Sequence, residues 1–156
     1  MNRHGWLSRI LLLGTLVALL FATLAAVDAA SMASRDPVAD RVRLMKLIGA
    51  SWADLQAKVK AGSIEAAAVN AETIAVSTEH IPALFPKDSL APNSRAKGEV
   101  WQKWEEFVKL ARTAETLAVE LRDKARAKDQ AAVEAAVKTF APQACGACHT
   151  AFRAAR

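Results

Sequence analysis

Residues 36–61 read DPVADRVRLMKLIGASWADLQAKVKA. Within this stretch Met45, Ile48, Trp52, Leu55 and Val59 recur at alternating intervals of three and four. That spacing lays them along one face of an α-helix. The ends agree. Asp36 followed by Pro37 places a side-chain acceptor before the first free N–H groups and presets φ for the first helical position. Gly62 ends the helix. A helix with one apolar stripe needs neighbours to bury it, so the segment predicts a bundle rather than an isolated rod.

The chain downstream supplies those neighbours. Ser63 is expected to cap a second helix with Ile64, Ala67, Ala71, Ile74 and Thr78 on one face, stopping near Pro82. Residues 82–94 hold Pro82, Pro86 and Pro92 together with Asp88, Ser89 and Asn93, which marks a true connection long enough to pack and carry function. A third helix is expected from Arg95 to Ala127, with Trp101, Trp104, Val108, Ala111, Leu117 and Leu121 inward. Asp129 caps a fourth, with Val133, Ala136, Val137 and Phe140 inward, and Pro142 should kink or break it before helix resumes. The expected fold is all-α, an antiparallel four-helix bundle with its chemistry near the C-terminus.

Composition supports one helical domain. The chain has 156 residues, 53% apolar but only 6% aromatic, with no Tyr. An alanine- and leucine-weighted balance favours helix and argues against a β-sandwich. Charged residues at 24%, with six Gly and five Pro, argue against general disorder. The net charge of +5 is spread along the chain with no basic cluster and no reading module, which excludes nucleic-acid binding. It leaves attraction to an acidic partner open.

The first 29 residues read as an address. Arg3, His4 and Arg9 precede an apolar run over residues 10–21, and Ala25, Ala26, Ala29 and Ala30 follow. Basic start, apolar middle and small-residue end make a secretory signal peptide, with cleavage expected between 26 and 33 and a mature domain over 30–156. An uncleaved anchor is the competing reading, because residues 10–27 lack charge. The alanine-rich end and the lack of a basic stop-transfer cluster favour cleavage and export.

Both cysteines of the chain sit in Cys145-Gly146-Ala147-Cys148-His149. This is the spacing for covalent c-type haem attachment. Positions three apart share a helix face, so both thiols reach one porphyrin, and His149 follows at once as an axial ligand for the iron. Three other readings compete. A redox-active Cys-x-x-Cys belongs at a helix start beside a strand, and no strand pattern is present. Zinc needs a closed ligand set, and beyond the cysteines only His149 and His80 remain after export. A structural disulfide closing so small a loop constrains the unfolded chain little.

With these pieces assembled, the sequence resembles the cytochrome c prime family, the class II c-type cytochromes. The resemblance rests on Arg41 to Lys46 with Gly49, Leu84-Phe85-Pro86 with Ser89, Val100-Trp101 with Phe107, and Cys145 to His149 followed by Phe152-Arg153. It implies a four-helix bundle carrying one haem c, with thioethers at Cys145 and Cys148 and the proximal bond at His149. It implies that Arg153 lies on the proximal side, Arg41 near a propionate and Met45 on the distal side. In some members an apolar distal residue leaves the iron open to nitric oxide or carbon monoxide; in low-spin relatives a methionine there ligates it. A homodimer is implied as well. No catalytic acid–base or nucleophile constellation is present, so an enzyme is not expected. The expected function is a periplasmic monohaem carrier of single electrons between redox partners, with His149 and Met45 on the iron. The rivals are a gas-binding protein with an open distal site and a haem-free redox module using the two thiols.

Overall fold

The computed structural model describes residues 36–155. The expected export segment lies outside the described residues. Helix α1 spans Pro37–Lys60, as its periodicity predicts. Asp36 accepts hydrogen bonds from the Val38 and Ala39 N–H groups at 3.1 and 2.9 Å. At the other end Gly62 turns the chain with φ of 75°, a left-handed conformation that costs glycine least.

A 3₁₀ turn over Glu65–Ala67 leads into α2, Ala68–Glu79. Ile64, Ala67, Ala71, Ile74 and Thr78 are all buried, so the expected face is correct. The expected cap is not, since no side chain caps this start and the helix opens through the tighter 3₁₀ turn instead. A second 3₁₀ turn, Pro82–Leu84, begins the long connection.

The third helix departs most from expectation. It starts at Glu99, not Arg95, because residues 95–97 pair with the C-terminal segment in extended fashion. Lys97 donates its backbone N–H to Phe152 O at 3.0 Å, and Ala154 donates to Arg95 O at 2.9 Å. It is also divided into α3, Glu99–Gln102, and α4, Trp104–Arg126, at Lys103 with φ −119° and ψ 47°. The inward face is rotated from the expected one. Phe107, Ala111, Ala114, Ala118, Leu121 and Ala125 are buried, while Trp104 is 38% exposed. The alanines win because α2, with Ala68, Ala71 and Ala75 buried, packs on α4 more extensively than any other pair of elements. Small residues on both sides let the backbones approach closely.

Asp129 caps α5, Gln130–Phe140, by accepting from the Ala132 N–H at 3.0 Å. Val133 and Phe140 are buried and Ala136 and Val137 half-buried, as expected. Pro142 neither breaks the helix nor ends it. The chain widens into a π-helical turn over Ala141–Gly146 and continues directly as α6, Ala147–Phe152. The wider turn absorbs the missing proline N–H and the bulk of its ring. Among the described residues no helix is long and apolar enough to cross a membrane.

Candidate functional site

Helix α6 carries Cys148 and His149 onto the wall of a cavity of about 530 Å³. That volume lies within the roughly 300–1,000 Å³ usual for small-molecule and cofactor sites. Opposite elements complete it: Val38, Arg41 and Met45 from α1, Ile81 and Phe85 from the long connection, Val100 from α3, Phe107 from α4, and Phe152 and Arg153 at the end of α6. Met45 and His149 therefore share one cavity although they are far apart in the chain. Cys145, one turn before Cys148, is half-buried against the core and is not part of the cavity wall.

The thiols are free. Burial raises the pKa of Cys145. Burial, together with neighbouring Cys145, pushes Cys148 up to about 11. Neither is held as the thiolate that a redox-active Cys-x-x-Cys requires, and the motif sits within continuous helix rather than at a helix start. Among the described residues no three His, Cys, Asp or Glu side chains gather into a metal-holding group, which leaves the zinc reading without a ligand set. His149 is shifted the other way. Burial first, then the charges of Arg153 and Arg95, lower its pKa and keep the imidazole neutral, the form that binds a metal.

Arg41 is 5% exposed, far from the solvated charge its type usually provides. Its Nε donates to Pro37 O at 3.0 Å and its Nη2 to Ser89 O at 2.6 Å, tying the long connection to α1. The guanidinium stacks over Phe85 at 4.5 Å from the ring centre. Burial lowers its pKa, offset in part by Asp36. Nη1 is buried without a hydrogen-bond partner among the described residues. A buried, unpaired donor of a charged group costs several kcal/mol when left unmet, so it marks where an acceptor belongs. Arg153 is exposed at the cavity edge, held there by the bridge with Ala96.

The tryptophans divide. Trp52 stacks on Phe140 at 4.8 Å, and the Trp101 indole donates to Pro86 O at 3.0 Å beside Phe85. Both are packing residues. Trp104 lies outside the core. His80 is exposed, engages Val76 O through Nδ1 and is not part of the cavity wall. Sequence reading missed Lys46 and Arg95 on that wall. Arg95 was hidden by its assignment to helix; the cluster of Pro, Asn and Ser just before it is the signal that favoured extended chain.

A family model described as Cytochrome C' matches residues 36–153. The fold is also similar to that of solved structures. One is cytochrome c' from Thermochromatium tepidum, with 25% identity and a TM-score of 0.65 over 76% of this chain and 95% of that one. Another is a nitric oxide complex of a variant cytochrome c prime from Alcaligenes xylosoxidans, with 22% identity and a TM-score of 0.69 over 78% of this chain and 95% of that one. A third is a cytochrome c' with ligand-controlled dimer dissociation, with 23% identity and a TM-score of 0.70 over 79% of this chain and all of that one. No curated protein matches the sequence.

Proposed function

The chain belongs to the cytochrome c' family, and from that premise we propose that it is an exported carrier of single electrons that uses haem c, with His149 and Met45 as the side chains that would hold the iron. Haem c is the cofactor of the family, and Cys145 and Cys148 carry its attachment spacing. The site fits the group. Its walls are largely apolar, Cys148 and His149 face it, and the unpaired Arg41 Nη1 is a donor suited to a propionate carboxylate. Bound haem c supplies an iron that takes up and releases one electron.

The chain's own residues set how that happens. Cys145 and Cys148 would hold the macrocycle through thioethers, and neutral His149 would give the iron its proximal nitrogen. Met45 would give a soft thioether sulfur, which would favour the ferrous state and raise the potential. Arg41 would pair with a propionate, and Arg153 would add positive charge on the proximal side. The observation that carries the reading is that Met45 and His149 line the same cavity from different helices. The segment over residues 1–29 supports export to the periplasm. Similarity to a protein with ligand-controlled dimer dissociation supports a homodimer.

A second reading has support in the nitric oxide complex of a similar structure. If Met45 only shields the iron, the distal side is open to nitric oxide or carbon monoxide. The two readings differ at one bond. Carbon monoxide added to the ferrous holoprotein separates them. Ligation by Met45 predicts slow uptake that rises about tenfold or more in Met45→Ala, since removing a ligand frees its position. Equally fast uptake in both proteins supports the open site.

A further inference from the structure

Four cationic side chains, Arg41, Lys46, Arg95 and Arg153, line the cavity, and among the described residues no carboxylate lines it. Lys97, which follows Ala96 of the wall, donates from Nζ to Ala151 O at 2.8 Å. The contrast with the other end of the bundle is sharp. There Asp54 pairs with Lys58, Glu72 with Arg122 and Arg126, Glu120 with Lys124, and Glu65 with Lys128. At the cavity, Lys46, Arg95 and Arg153 enter no ion pair among the described residues. The nearest acids on α1 are engaged, Asp36 in capping and Asp40 with Arg43. A haem brings two propionates, so it cannot neutralise four cations.

We infer that the cavity mouth is a docking surface for an acidic protein, held by Lys46, Arg95 and Arg153 around the exposed side chain of Val42. The inference rests on the electron-carrier reading and names the chemistry of its partner. Unpaired charge of one sign around a redox site steers an opposite-signed surface to the place where electron exchange is shortest. A small apolar centre inside a charged rim suits a transient complex that must also come apart. Val42 is 48% exposed on this rim and supplies that centre. An anionic membrane is the competing surface. It would call for a broad apolar face to enter the lipid boundary, and the rim offers none.

The test is voltammetry of the holoprotein on gold bearing carboxylate-terminated or ammonium-terminated monolayers, the carboxylate layer standing in for an acidic protein surface. Exchange should be fast on carboxylate, absent on ammonium, and suppressed as salt rises from about 0.01 M to about 0.5 M. Lys46→Glu with Arg95→Glu should slow it about tenfold or more. Lys46→Arg with Arg95→Lys should restore it. Equal rates on both layers, or an unaffected charge-reversed variant, would overturn the inference. So would binding of phosphatidylglycerol vesicles lost in that same variant, which would assign the surface to lipid. A protein with no reversible wave even in a mediated titration would fail the electron-carrier reading instead.

Discussion

Arg41 brings a positive charge into a position only 5% exposed and spends two of its donors on backbone carbonyls of Pro37 and Ser89. One side chain thus ties helix α1 to the long connection, and its Nη1 is buried without a hydrogen-bond partner among the described residues. Nothing in its charge announces this burial. The Cys145-to-His149 motif was legible because its spacing is local in sequence, whereas Arg95 and Lys46 reach the cavity only through tertiary folding. Core residues follow the same division. Leu55 is 0% exposed on α1 and Leu47 is 48% exposed on the same helix. Leu55→Ala should cost about 2–5 kcal/mol in urea unfolding of the holoprotein, and Leu47→Ala about 0.5 kcal/mol or less. Equal costs would place the core on the wrong face of α1.

Elements begin and end for local reasons where a side chain acts, and for tertiary reasons where none does. Asp36 and Asp129 both cap as their positions predict. Ser63 caps nothing, because the chain leaves Gly62 through a 3₁₀ turn. Asp36→Ala should therefore lower stability by about 1 kcal/mol. Ser63→Ala should change it by less than about 0.5 kcal/mol. Comparing denaturation midpoints at constant slope measures both, and a larger loss at Ser63 would contradict the assigned start of α2. The third helix was misread for a related reason. Large apolar residues drew the expected face toward Trp104 and Val108, but close packing with α2 selects the alanine stripe. Pro142 was read as a break because propensity speaks of the α-helix. The π-helical turn is a solution that propensity does not describe, and it leaves the haem motif on continuous helix.

At the scale of the whole molecule, a bundle was readable because four amphipathic periods leave few other ways to bury four stripes. Which faces meet, and which side chains from distant segments share a cavity, depends on packing that no single window contains. The fold brings Met45 from the first helix and His149 from the last into one space of about 530 Å³, with a cationic mouth. That meeting turns an attachment motif into a site with two chemically distinct sides. Whether electrons or gases are handled there follows from whether Met45 bonds the iron. Electron paramagnetic resonance of the ferric holoprotein at neutral pH reads that bond directly. Ligation predicts a low-spin signal that becomes high-spin in Met45→Ala; a high-spin signal in the unaltered protein, unchanged by the substitution, would contradict the account.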